Sequence, residues 1–495
     1  MDSRFLLICV GLFAALWAIF NWRRALQLAM VLIVVEGAIR KWLFPGAQDL
    51  VYLGKDVILL GTYAGFIRQR ASLRYRPPPL VVLYSALGAG AAFGLLQIFN
   101  PQLPNLLVGA FGFKAYFLYV PLLFVVPAAY QSDRELVRFL RRYIVLSIPV
   151  GILAAAQFLS PSSSLLNTYA RGETGSSYIS TFGSSEFVRV TGTFAYITGY
   201  ASYLVAMSIL VLAYLAAAQW RLRRSVVIYA ALGMTLLGML MAGSRGPVLM
   251  LALLFPVYWW LAVIRGGQGA ATFARLLVGL TAIGVLVGSV GGDAITAFRG
   301  RAAGTEDIAA RIIAPFTTPF QIMQAAGPIG FGIGATHSTA SAVTPGIVPY
   351  SWLHGVVVEV ESGRVMIELG PLGFFLVYFV RIYLIGFALR QVLALRSTFH
   401  RAVATASLLF FLAQLPGSIV FDITSDFYYW FFAGLLLLVM RLDRLAVPAA
   451  SRAVAAPAAK QPRGRTFPTP VGVRSMGSGR SAGSRTGPME SPHPR

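Results

Sequence analysis

Apolar stretches of about 20 residues recur from one end of this chain almost to the other, and nothing else in the sequence limits its fold so strongly. A stretch of that length crosses a bilayer only as a helix, because lipid offers no partner to an unmet backbone N–H or C=O. Barrel strands are about half as long and alternate in polarity, so the class expected is an all-α polytopic membrane protein. Composition agrees. Of 495 residues, 57% are hydrophobic and 12% charged, with a mean hydropathy of +0.71, whereas soluble domains carry roughly 25% charged residues.

About thirteen spans (12–14) are predicted, roughly at 5–21, 25–44, 51–67, 80–98, 105–128, 143–160, 195–218, 226–243, 247–264, 276–297, 365–388, 402–420 and 427–441. The net charge of +23 sits in short basic clusters between spans and in the C-terminal tail. That placement is a topology signal, not a nucleic-acid surface. With "NWRRA", "RQRASLRYR", "QSDRELVRFLRR" and "WRLRRS" in the cytoplasm, the N-terminus lies outside and the C-terminus inside. Asp2 and Arg4 precede the first stretch and no small-residue cleavage site follows it, so residues 5–21 are expected as a retained helix. A single cysteine, Cys9, excludes an intramolecular disulfide. The predicted membrane domain covers 1–444, and 445–495, rich in Pro, Gly, Ser and Arg, is expected to be disordered and drawn to anionic lipid.

Two long connections, about 161–194 and 298–364, fall on the extracytoplasmic side of this topology. Long connections in compact proteins are commonly functional. The second carries aromatics, short helical patterns and two of the four histidines, and is expected to fold back over the membrane mouth.

In "MAGSRGPVLMLALL", residues 241–254, a lone Arg245 interrupts hydrocarbon on both sides. Ser244 and Pro247 suit a helix start. Arg245 is then either an interfacial arginine reaching for headgroups, or a cation at a helix N-terminus that together make an anion site. Arginine suits phosphate because its planar fork binds in a bidentate manner and stays charged. Arg311 lies in "IAARIIAPFTTPFQIMQAAGPIGFGIG", ahead of Gly327, Gly330, Gly332 and Gly334. Those glycines read as a turn returning the chain or as a phosphate-binding nest. His337, His354, Glu359 and Glu361 follow, each an ordinary loop residue or a general base. Arg364 precedes the next span and Glu368 lies just inside it. With Arg40, Lys41, Lys55, Lys114 and Arg189, the outer half collects cations that topology alone does not call for. A polyanionic ligand accounts for them. No zinc-type spacing and no outer-loop Asp-x-Asp occurs, so neither metal nor cofactor is expected, and arginines carry the electrostatic work.

The chain resembles the bacterial O-antigen ligase and O-antigen polymerase superfamily. The resemblance rests on "AGSRGPVLMLALL", on "RIIAPFTTPFQIMQAAGPIGFGIG" and on "VMIELGPLGFFLVYF", in that order and around a large outer loop, over residues 190–440. It implies a GT-C-like, metal-independent, inverting glycosyltransferase of the bacterial inner membrane. Such an enzyme transfers or polymerises undecaprenyl-diphosphate-linked glycans on the periplasmic face, onto a glycan or lipid acceptor, beside other polysaccharide-assembly proteins. It further implies that Arg245 and Arg311 hold the diphosphate; Arg189 and Arg364, from the outer-half cations, are further candidates to bind it. A histidine base is expected shortly before the Glu-x-Gly segment; here His354 stands further upstream and Glu359 and Glu361 stand nearby, so the base is one of His354, Glu361, Glu359 or His337. The alternative from another class is a transporter or flippase for an anionic lipid-linked substrate.

Overall fold

The structure, a computed structural model, describes residues 3–73, 75–170, 179–182, 187–217, 222–266, 281, 284, 288, 292–303, 308–337 and 359–446. Among them the chain is helical, with one isolated β-bridge, Thr181 to Val188. The helices are α1 Ser3–Phe20, α2 Trp22–Ala38 with a π-turn Ile39–Leu43, α3 Gln48–Gln69, α4 Val81–Gln97, α5 Leu106–Phe117, α6 Leu122–Ala129, α7 Asp133–Val145 and α8 Ser147–Phe158. There follow α9 Ile197–Ala217, α10 Leu222–Met241, α11 Arg245–Gly266, α12 Gly292–Ala303, α13 Ile308–Ala326, α14 Glu361–Ala394, α15 Thr398–Gln414 and α16 Ile423–Leu445.

Five helical stretches are long and apolar enough to cross a membrane, or six if the bent pair α5 and α6, 41° apart, is one crossing. This is the build of a multi-pass membrane protein. Among the described residues this is a lower number than the thirteen expected from the sequence. Further apolar helical segments of 10–17 described residues lie within α1, α4, α10 and α11. The expected span at 105–128 is broken near Pro121. Most of 276–297 lies outside the described residues, as do residues 338–358 of the large loop, with His354, and the tail from 447. The expected loop 298–364 does carry helices of its own: α13, and α12, which begins just ahead of it.

α16 is buried almost all round, as a helix apolar on every face must be when it forms the centre of a bundle. It packs against α6, α9 and α15. Phe410 and Phe432 stack with centroids 4.6 Å apart across α15 and α16. The hydroxyls of Tyr143 and Tyr428 meet at 2.5 Å, and Tyr143 also donates to the Met30 carbonyl at 3.1 Å, tying α7, α16 and α2 together. α7 shows how polarity sets position: Leu136, Leu140, Tyr143 and Ile144 form a buried stripe, the arginines face away, and Ser132 caps its first turn by accepting from Glu135 N.

Where helices touch in lipid, small residues let backbones approach. α3 carries Gly61 and Gly65 four apart, facing α1. A Cβ at Gly61 would stand 2.5 Å from the Ala15 carbonyl oxygen, and one at Gly65 2.5 Å from that of Ile19. Replacing Gly65 by leucine is expected to push α1 off α3 at a cost of about 1–3 kcal/mol or more. The check is a lower unfolding midpoint of the full-length protein in detergent; an unchanged midpoint refutes the contact.

Candidate functional site: a cavity lined by arginines

The turn that carries Arg245 is built by sequence-local rules. Gly243 adopts φ +61°, a left-handed conformation that glycine takes without strain, and it ends α10. A Cβ there would meet the Phe182 ring at 2.7 Å. Arg245 opens α11 and Pro247 sits in its first turn, where the missing N–H has no helical partner to lose. Arg189 reaches this turn from the preceding long connection. Its Nε donates to the Ala242 carbonyl at 3.0 Å and its Nη2 to Ser244 Oγ at 3.2 Å. That connection is itself fastened down. Lys41 Nζ donates to Thr191 Oγ1 and to the Gly192 carbonyl, both at 2.9 Å, and Tyr169 OH donates to the Arg189 carbonyl at 2.6 Å.

Phe182, Arg189, Gly243, Ser244, Arg245 and Pro247 form part of the wall of a cavity of about 1470 Å³. Arg189, Arg245 and Arg364 all line it, with the carboxylate of Glu359. α13 contributes Ile312, Pro315 and Phe316 to the same wall. Arg311 precedes them on that helix; its backbone is described, its side chain lies outside the described residues, as does the whole of His354. Leu249, Met250, Leu253 and Leu254 of α11 give the cavity an apolar side. Cations against one wall and hydrocarbon against another suit an amphiphilic anion.

The other two candidates stand behind the wall. Glu361 is buried and ion-paired to Arg381, and its Oε2 also accepts from Ser418 Oγ at 3.1 Å and Phe421 N at 3.2 Å. It lines no part of the cavity, and its oxygens already hold the end of α14 against the connection that leads into α16. His337 ends the glycine turn, half-buried beside Arg364 and Lys114. Burial first, and those two cations second, pull its pKa from 6.5 down to about 4, so it is neutral and weakly basic at neutral pH.

The glycine turn is neither a loose return nor an open cradle. Phe331 N donates to the Ile367 carbonyl and Gly332 N to that of Glu368, both at 2.9 Å. In α14 the first of these carbonyls would normally receive the N–H of residue 371, which is Pro371 and has none. Gly370, at φ +62°, breaks the helix there, and the turn supplies the missing donors. Gly330, Gly332 and Gly334 hold φ values of +74°, +104° and +86°, and a Cβ at Gly334 would meet the Val108 carbonyl oxygen at 2.4 Å.

Several lining groups carry no prominent sequence signal. Asp293, Gln414, Ser202, Ser425 and Asp422 all face the cavity. Asp422 Oδ2 accepts from Ser202 Oγ at 2.5 Å and Ser425 Oγ at 2.9 Å, while Oδ1 caps α16 through Thr424 N at 3.2 Å. Burial pushes its carboxyl up against the opposing pull of those hydrogen bonds. The run "FDITSD" before an apolar stretch is a helix-start signal, and that was the one clue to Asp422. Among the described residues, no three His, Cys, Asp or Glu side chains gather as metal ligands do.

The depressed pKa of His337 has a consequence for stability. Between pH 6.5 and about 4 the unfolded chain takes up a proton that the folded site refuses, so this contribution is complete above pH 6.5 and is lost as the pH falls towards 4. Full-length protein is expected to lose more of its melting temperature between pH 7 and pH 5 than His337→Gln does; equal losses refute the assignment.

No protein-family model matches this chain, and no curated protein is significantly similar to it.

Proposed function

We propose that the protein is an inverting glycosyltransferase of the cytoplasmic membrane that acts on a glycan carried by a polyprenyl diphosphate, of the O-antigen ligase or polymerase kind. The observation that carries this reading is the meeting of Arg189, Arg245 and Arg364 with Glu359 on one cavity that also has an apolar wall. The arginines counter the charge of the diphosphate and of the developing leaving group, an electrostatic role suited to a water-poor site. Glu359 takes the proton from the acceptor hydroxyl. That oxygen attacks the anomeric carbon from the face opposite the diphosphate, the C–O bond to the diphosphate breaks, and the lipid diphosphate leaves with the bonding pair. The apolar wall holds the first isoprene units. On this reading the shorter apolar helices complete about thirteen crossings in a GT-C-like arrangement, the basic loops and C-terminus face the cytoplasm, and the cavity opens to the periplasm.

The break between α5 and α6 favours a second reading, since transporters build substrate sites from discontinuous helices. It makes the chain a transporter or flippase for the same lipid-linked anion.

The test follows lipid-linked glycan in cells that depend on the protein. Arg245→Ala and Arg364→Ala are each expected to slow transfer by about 10²-fold or more. Glu359→Gln is expected to slow it by about 10²- to 10⁴-fold. Unprocessed donor then accumulates on the periplasmic leaflet. Normal transfer in all three variants refutes the enzyme, and accumulation on the cytoplasmic leaflet identifies the flippase.

A further inference from the structure

Arg364 is aimed by a chain of contacts that the reading above does not use. Its Nε donates to Thr336 Oγ1 at 3.1 Å and its Nη2 to the Thr336 carbonyl at 2.5 Å. Its guanidinium lies 3.5 Å from the centroid of the Phe421 ring. Thr336 is thus the fork on which the cation rests, and it is 1% exposed. A threonine hydroxyl has one proton. For Oγ1 to accept from Arg364, that proton must point elsewhere, and it points to Glu368 Oε1 at 2.6 Å. The same oxygen accepts Thr336 N at 2.9 Å, and Oε2 accepts Tyr116 OH at 2.9 Å. Glu368 is 0% exposed and stands just before the break at Gly370, with its own carbonyl held by Gly332 N.

We propose that Glu368 is a positioning residue for Arg364, acting through Thr336. The carboxylate captures both the amide and the hydroxyl proton of Thr336, which fixes that residue and turns its hydroxyl lone pairs towards the guanidinium. Arg364 is thereby pinned over the Phe421 ring with donors left for a ligand in the cavity. A carboxylate buried among donors suits this task, because it can only accept. The proposal rests on the reading of Arg364 as an anion-binding group, but the orientation itself is measurable without a ligand.

Two measurements on the full-length protein in detergent test it. One is the structure of the Glu368→Met variant, which keeps the side-chain bulk and removes both acceptors. The Arg364 guanidinium is expected to leave Thr336; a guanidinium still seated on both Thr336 oxygens overturns the proposal. The other is the concentration of inorganic pyrophosphate that gives half of its maximal thermal stabilisation. Glu368→Met and Thr336→Val are each expected to raise it about tenfold, the loss of one charge-assisted hydrogen bond. Glu368→Gln, whose amide oxygen can face Thr336 and whose NH2 can face Tyr116, and Thr336→Ser are expected to stay within about twofold of the parent. Tyr116→Phe, which strips the same carboxylate of a donor off the path to Arg364, is expected to lower the melting temperature but not the pyrophosphate response. In an Arg364→Ala background the Glu368→Met change is expected to add nothing. Equal weakening with and without Arg364, or a Glu368→Gln variant as weak as Glu368→Met, overturns the proposal. If Glu368→Met does not fold, Glu368→Leu, which also lacks both acceptors, carries both measurements. If the parent shows no pyrophosphate response, the anion-binding reading falls, and the position of the guanidinium still decides the role of Glu368.

Discussion

Much of this molecule depends on one main-chain contact: the seating of the glycine turn at residues 330–334 against the break in α14. A proline at 371 and a left-handed glycine at 370 leave helix carbonyls without their usual donors in an apolar bundle, where an unmet carbonyl costs several kcal/mol. The amides of Phe331 and Gly332 meet that need. Because the contact is backbone against backbone, it tolerates no side chain: a Cβ at Gly330 would stand 2.5 Å from the Glu368 carbonyl oxygen, and one at Gly112 2.4 Å from Gly334. From this fixed point Thr336 is placed, and from Thr336 the guanidinium of Arg364. The cavity inherits its geometry from a repair to a broken helix.

The arginines on the cavity wall differ in how they are held. Arg189 binds the carbonyl end of α10 and the Ser244 hydroxyl, so it stiffens the turn from which Arg245 starts α11. Arg364 lies on an aromatic face and a threonine. Each is immobilised by contacts that leave its charge in place, which is what a preorganised electrostatic site requires. Glu361 and Arg381 satisfy each other inside the bundle, and that pair serves the packing of α14 against the connection into α16.

The all-helical, lipid-solvated character was legible in the sequence because it follows from the length and uniformity of the apolar runs. The bend in one of those runs was not, since hydropathy alone does not reveal that the run around Lys114 turns by 41° after α5. At the site, Arg245 was conspicuous as an isolated charge in hydrocarbon. Arg189 and Arg364 were less so, being charges near the ends of apolar runs, where any chain keeps some. Glu361 and Glu359 were indistinguishable by type and spacing, and only tertiary packing separates the buried partner of Arg381 from the exposed carboxylate at the cavity. The glycines signalled a special backbone; that their amides serve another helix is long-range information, carried by Pro371 some 40 residues later in the chain.

The broken helix also bears on how the protein is made. When α14 enters the bilayer, the carbonyls of Ile367 and Glu368 arrive there without donors, and the only segment described as supplying them is already synthesised and lies upstream. The turn and the helix it completes can therefore pair only once both have been made. A chain that stops short of α14 has the turn but not the carbonyls that the turn serves.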